Sequence, residues 1–165
     1  SVIIAAYAGC GKTFFAQISH SALDLHCMPY KYFPRENNER GESGKADPNN
    51  EMRPEWPYNY VAAIENAMKD YEYILIPSDF RVLALLKKKQ ICYTLIYPHK
   101  DAKEEYLKRY LSRGNTENFL SIFYEHWDWF IDNLEADNYG KKIVLQPYQF
   151  LSDVIIKETI ERPAN

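Results

Sequence analysis

One stretch near the start decides the fold of this chain: Ala6-Tyr7-Ala8-Gly9-Cys10-Gly11-Lys12-Thr13. An apolar run of strand type precedes it at 1–5, and residues 14–20 can open a helix. Strand, small-residue turn, Gly-Lys-Thr and helix is the succession typical of a phosphate-binding loop. Small residues let the main chain curl tightly enough for several N–H groups to face one anion, and the helix start adds unpaired N–H groups. The stretch therefore predicts a phosphate site after the first strand.

The side chains of this stretch have separate predicted roles. Lys12 reaches the β- and γ-phosphates of a nucleotide, and the Thr13 hydroxyl binds Mg²⁺. The pattern G-x-x-x-x-G-K-[ST] is broken only at its first glycine, which is Ala6 here. The alternative is a structural turn that happens to read Gly-Lys-Thr. The predicted nucleotide-binding residues are Ala8, Gly9, Cys10, Gly11, Lys12, Thr13 and Phe14.

Composition is ordinary for a soluble globular domain. The chain has 165 residues, 46% hydrophobic and 26% charged, which predicts one domain over 1–165 with a sizeable core. A net charge of −3 gives no general attraction to nucleic acid. Three cysteines without metal-motif spacing indicate reduced thiols and a cytoplasmic location. We expect no membrane helix, because no apolar run approaches ~18 residues, and no signal peptide, because the chain starts in a strand. A monomer or homodimer is expected.

Strand-type and helix-type segments alternate along the chain. Predicted strands cover 1–5, 22–27, 71–77, 91–97 and 142–146. Predicted helices cover 14–20, 57–69, 80–89, 102–112, 116–135 and 148–160. This alternation predicts a three-layer α/β/α fold of the P-loop NTPase type, with a five-stranded, mainly parallel sheet. The helix at 116–135 carries an apolar stripe that we interpret as core rather than as a base-stacking platform. Its members are Leu120, Phe123, Trp127, Phe130 and Leu134.

Acidic and polar residues follow the second and third predicted strands, where ligands gather in parallel sheets. Asp24 is a candidate for Mg²⁺ or a substrate hydroxyl, with a solvated turn aspartate as the alternative. Ser78 and Arg81 are substrate candidates. Asp79 is interpreted as a helix N-cap rather than as an Mg²⁺ ligand.

The segment at about 34–57 is almost wholly polar at first and too long for an ordinary connection, so we expect an acceptor-side loop there. It carries basic residues that contact either a phosphate or only solvent: Arg35, Arg40, Lys45 and Arg53.

The predicted helix after the fourth strand carries Arg109 and Arg113, four residues apart and therefore on one face. Because Gly114 follows, the segment at about 101–114 is a candidate lid whose two arginines act as catalytic cations. The alternative is a solvated basic face paired with Glu104 and Glu105.

The order of elements over the whole chain resembles the nucleoside monophosphate kinase group, which includes adenylate and shikimate kinases. The residues that carry this resemblance are 9–13 and, more loosely, Asp24, Arg109 and Arg113. It implies a phosphate loop after the first strand, an acceptor region after the second and an arginine-bearing lid after the fourth. The segment 34–56 departs from the adenylate kinase pattern.

The chain also resembles a set of small bacteriophage and bacterial P-loop proteins of kinase type. The shared motifs are A-Y-x-G-C-G-K-T, Y-P, R-G-N and W-D-x-F-I, found here at 6–13, 97–98, 113–115 and 127–131. This closer resemblance covers most of the chain and implies no particular substrate.

These residues predict transfer of the γ-phosphoryl group of ATP, with Mg²⁺, to a nucleoside monophosphate or another small acceptor. One alternative is an NTP-hydrolysing switch, of which a GTPase is disfavoured because no N-K-x-D is present. The other is a module that binds nucleotide without catalysis, as part of a phage or host-defence assembly.

Overall fold

Five parallel strands form one sheet in the computed structural model, which describes residues 1–34 and 46–155. The spatial order is β2-β3-β1-β4-β5, and each neighbouring pair runs parallel. The strands are β1 (Val2–Ala6), β2 (Ala22–Asp24), β3 (Tyr73–Pro77), β4 (Thr94–Pro98) and β5 (Lys141–Leu145). The predicted α/β class and parallel sheet are confirmed, and the architecture is compatible with three α/β/α layers.

Helices connect successive strands. They are α1 (Lys12–Ile18), α2 (Met28–Lys31), α3 (Tyr58–Ala67), α4 (Phe80–Lys88), α5 (Lys103–Ser112), α6 (Glu117–Glu125) and α7 (Trp127–Glu135). A short 3₁₀ helix, Lys100–Ala102, leads into α5. Residues 151–155 are helical again. The predicted last helix therefore starts later than expected, because Tyr148 has a left-handed φ of 63°. Its predicted end at 160 lies outside the described residues.

The single helix predicted over 116–135 is wrong, because the chain leaves the helical conformation at His126 (φ −107°, ψ 11°). The break divides the apolar stripe between two helices, α6 and α7, which run in different directions. It lets α6 pack against α5 while α7 packs against β4 and the 3₁₀ helix. The indole Nε1 of Trp127, the first residue of α7, donates to the Lys100 carbonyl at 2.7 Å.

Aromatic rings fill the space between the β1–α1 connection and α6–α7. The Tyr7 ring meets those of Phe123 and Trp127 edge-on, each at 5.5 Å between centroids, and Phe130 at 6.3 Å. Such pairs contribute roughly 0.5–1.5 kcal/mol each beyond the area they bury. The core interpretation of the aromatic stripe is confirmed. The core also accounts for several of the fourteen tyrosines: Tyr7, Tyr60, Tyr106 and Tyr110 are each at most 2% exposed.

The described part of the expected acceptor-side loop folds back onto α2. Arg53 donates its Nε proton to the Pro29 carbonyl at 2.9 Å, and its guanidinium lies 4.7 Å from the Phe33 ring centroid. These contacts occupy Arg53 away from the candidate phosphate loop. The other basic candidates, Arg35, Arg40 and Lys45, lie outside the described residues. Within 1–34 and 46–155, no helix is long and apolar enough to cross a bilayer.

Candidate functional site

The connection between β1 and α1, residues 7–11, is shaped by two left-handed glycines. Gly9 has φ 89° and Gly11 has φ 97°, a region that L side chains rarely adopt. A Cβ on Gly9 would lie 2.9 Å from Tyr110 Cε1, and one on Gly11 would lie 3.1 Å from the Phe150 ring. Ala6, the departure from the motif, is the last residue of β1, where extended backbone needs no glycine. The substitution therefore leaves the loop shape intact.

The carbonyls of this loop are bonded to the rest of the protein. Ala8 O accepts from the Tyr110 hydroxyl at 2.8 Å, Gly9 O from Arg109 Nη1 at 2.9 Å, and Cys10 O from Leu151 N at 2.9 Å.

Within the described ranges, several backbone amides of this loop, unlike its carbonyls, are left without a protein partner. Among the described residues, no protein acceptor pairs with the backbone N–H groups of Gly9, Gly11, Lys12 or Thr13. Successive unpaired N–H groups at a helix start form an anion-binding concavity.

Lys12 lies at the first position of α1, with its side chain partly buried at the cleft wall. Its Nζ donates to the Ala6 carbonyl at 3.3 Å. Burial lowers the pKa of this lysine. The neighbouring positive charge of Arg113 lowers it further, while Cys10 and Asp24 act in the opposite direction. A bound anion would relieve both unfavourable effects, so the local electrostatics favour a phosphate here.

Thr13 and Asp24 come together at the carboxyl end of β2. The Thr13 hydroxyl donates to Asp24 Oδ2 at 3.2 Å, and the Asp24 side chain is only 10% exposed. Hydroxyl and carboxylate oxygens suit Mg²⁺, which usually keeps waters and substrate phosphate oxygens as its other ligands. Across the described ranges, no three His, Cys, Asp or Glu side chains cluster as a metal site of their own.

An open cleft of about 1260 Å³ contains these groups. It brings together most of the predicted residues: Ala8, Gly9, Gly11, Lys12, Thr13, Phe14, Asp24, Arg109 and Arg113. Cys10 is absent from the cleft wall because its side chain is fully buried, with Sγ 3.6 Å from the Tyr106 hydroxyl.

Other cleft residues were not named from the sequence as site residues, although those from 101 to 112 belong to the predicted lid segment. They are His26, His99, Asp101, Ala102, Glu104, Glu105, Lys108, Ser112, Phe119, Gln146, Pro147, Tyr148 and Phe150. The segment 146–150 follows β5 directly. The general rule that ligands gather where parallel strands end was the available signal for it.

The two candidate lid arginines are in different environments. Arg109 is 12% exposed and bonded to Gly9 O, to the Gln149 carbonyl at 3.0 Å and to Glu105 Oε1 at 2.6 Å. Arg113 is exposed at the end of α5 and lies 5.6 Å from the Tyr110 ring centroid. The pairing with Glu105 foreseen as the alternative therefore holds for Arg109, while Arg113 remains a cation at the cleft wall. A lid motion of α5 stays a prediction.

The residues after β3 do not join this cleft. Asp79 Oδ1 accepts from Arg81 N at 2.9 Å and Val82 N at 3.2 Å, so the N-cap interpretation is confirmed. The Arg81 guanidinium points to Met52 Sδ at 3.6 Å. Ser78 and Arg81 are not among the cleft residues, and their substrate roles stay predictions.

The three cysteines differ in exposure, which gives a first prediction. Cys10 is buried and Cys92 is exposed. Burial raises the pKa of the Cys10 thiol to about 11. At pH 8 its thiolate fraction is then on the order of 10⁻³, so we expect Cys92 to react with an aromatic disulfide reagent long before Cys10 does. Mass spectrometry of the labelled peptides measures this. Labelling of Cys10 at the rate of Cys92 in the folded protein would contradict the buried placement.

Comparison of the chain with protein-family models, with curated proteins and with solved structures finds no match. The candidate site is therefore defined by its own geometry.

Proposed function

We propose that this protein is an ATP- and Mg²⁺-dependent phosphotransferase, which moves the γ-phosphoryl group to a nucleoside monophosphate or a similar small acceptor. The observation that carries the proposal is the set of unpaired amides at Gly9, Gly11, Lys12 and Thr13, which line one cleft with the partly buried Lys12 side chain. Any helix start leaves its first amides unpaired; here they line the cleft together with the Lys12 ammonium and the bonded pair Thr13 and Asp24. The resemblance of the loop to those of the nucleoside monophosphate kinase group supports the same function.

The chemistry of phosphoryl transfer fits these groups. It needs positioning and positive charge around the moving phosphoryl group more than it needs covalent participation. The loop amides and Lys12 would hold the β- and γ-phosphates. Thr13 and Asp24 would hold Mg²⁺, which neutralises developing charge on the phosphate oxygens when bound. Arg113 would supply charge from the end of α5.

The test is a screen of nucleoside monophosphates and small hydroxyl compounds with ATP and Mg²⁺, in which ADP formation is followed. We expect ADP to appear only when the right acceptor is present. Acceptor-independent phosphate release would instead identify an NTP hydrolase. Tight ATP binding with neither product would identify a binding module.

The position of Ser78 and Arg81 outside the cleft favours a nucleotide-hydrolysing or nucleotide-binding module as the second candidate. Fewer of the predicted residues are then available in the cleft to bind a phosphoryl acceptor than to bind the nucleotide. A cytoplasmic location and a monomeric or dimeric state belong to the same proposal.

Asp24→Asn should raise the Mg²⁺ concentration needed for half-maximal turnover roughly 10- to 100-fold. The amide keeps an oxygen that accepts from Thr13, so folding is preserved, but the negative charge that attracts the ion is lost. The measurement is an Mg²⁺ titration at saturating ATP. Asp70→Asn, on an exposed turn outside the cleft, is the matched control. An unchanged Mg²⁺ requirement in Asp24→Asn would remove Asp24 from the metal site.

A further inference from the structure

The Arg109 guanidinium joins three segments of the chain. Nη1 bonds to the carbonyl of Gly9 in the β1–α1 loop, and Nη2 bonds to Glu105 on α5 and to the carbonyl of Gln149 after β5. These acceptors are 100, 4 and 40 residues away in sequence. A planar, forked donor set makes such a junction possible, and a lysine ammonium lacks it.

Two aromatic rings enclose the same guanidinium. Its Cζ lies 4.3 Å from the Tyr106 ring centroid and 3.9 Å from that of Phe150. Phe150 also packs on Gly11, where a Cβ would approach its ring to 3.1 Å. The segment after β5 is thereby stacked directly on the phosphate-loop candidate.

Glu105 completes the arrangement. Its Oε1 accepts from Arg109 Nη2 and also from the backbone N–H of Tyr148 at 2.8 Å. Its side chain is 16% exposed, so the ion pair is largely shielded from water. The charge of Arg109 is therefore balanced within the protein, and both of its terminal nitrogens, Nη1 and Nη2, already donate hydrogen bonds before any ligand binds.

We propose that Arg109 is a positioning residue, which with Glu105 fixes the β1–α1 loop so that its amides stay aligned for phosphate, and that of the two arginines only Arg113 meets the transferred phosphoryl group. This inference rests on the proposed function. It reverses the expectation that both arginines act as equivalent catalytic cations.

The two roles make different demands on the nucleotide. A loop held by Arg109 binds the phosphates that ADP and ATP have in common. Loosening the loop therefore lowers the affinity for both nucleotides by the same factor. A cation that meets the γ-phosphoryl group affects ATP and turnover but not ADP. The ratio of the ATP and ADP dissociation constants therefore separates positioning from direct contact.

The experiment measures Kd for ADP and ATP by calorimetry, and kcat, for wild type, Arg109→Met, Arg109→Lys and Arg113→Met. We expect Arg109→Met to weaken both nucleotides, by up to about 10²-fold, with their ratio unchanged. Arg109→Lys keeps the charge but not the fork, so we expect it to behave like Arg109→Met. Lys103→Met, on α5 but outside the cleft, controls for loss of a cation from this helix.

Several outcomes would overturn the assignment. One is a folded Arg109→Met that binds ATP more weakly but ADP as the wild type does. Another is a folded Arg109→Met that binds both nucleotides as the wild type does. The third is a kcat in Arg109→Lys that recovers substantially toward the wild-type value. If Arg109→Met does not fold, Arg109→Lys decides by the same ratio. A wild-type protein that binds neither nucleotide would overturn the proposed function and this assignment together, whereas the other outcomes overturn the assignment alone.

Discussion

Lys12→Met should abolish turnover, with a loss of at least about 10³-fold, while the melting temperature of the protein without ligand stays the same or rises. The lysine holds a charge in a partly buried position, and burial lowers its pKa, so its ammonium costs folding energy when no anion is bound. Methionine keeps the apolar stem and removes that cost. With ligand present the same charge neutralises phosphate oxygens, and one such donor alone is worth about 10²- to 10³-fold in rate.

The measurement pairs ADP formation with thermal unfolding of the same preparation. Lys88→Met, at the exposed end of α4, controls for the loss of one positive charge. A large fall in melting temperature for Lys12→Met without ligand would show that the ammonium serves the fold. Full activity with normal stability would remove Lys12 from the site.

Arg113→Met should lower kcat by about 10³-fold and leave ADP binding unchanged. An arginine that meets a transferred phosphoryl group is worth ~10³ to 10⁵ in rate. The side chain is exposed at the end of α5, so its removal leaves the core and the melting temperature unaffected. Lys69→Met, an exposed cation outside the cleft, is the control. An unchanged kcat in Arg113→Met would leave the cleft without a catalytic cation from α5.

The part of the cleft formed by the β1–α1 connection was predictable because its signal is local. The glycines, Lys12 and Thr13 are adjacent in sequence, and the turn needs only those residue types in that order. Asp24 was predictable because it ends a strand, and the ends of parallel strands meet at one edge of the sheet.

The role of Arg109 was not predictable, because its partners at Gly9 and Gln149 are brought to it only by the fold. Spacing alone made Arg109 and Arg113 look equivalent on one helical face. The structure separates them, because Arg109 is bonded to Gly9, Glu105 and Gln149, whereas Arg113, which directly follows α5, is exposed at the cleft wall.

The break at His126 was missed for a related reason. The apolar stripe continues in helical register from Phe123 to Phe130. The spacing of its apolar residues therefore does not indicate that the chain changes direction between them. The break follows from what the two halves pack against, α5 on one side and β4 on the other. Ser78 and Arg81 also follow a parallel strand but do not line the cleft, and their substrate roles stay predictions.

Titration calorimetry of ATP with Mg²⁺ tests the proposed function most directly, since the proposed roles of Lys12, Asp24 and Arg113 all depend on a triphosphate at the β1–α1 loop. We expect saturable binding at one site per chain in the wild type and none detectable in Lys12→Met of equal thermal stability. Absence of binding to the wild type, or undiminished binding to Lys12→Met, would contradict the account.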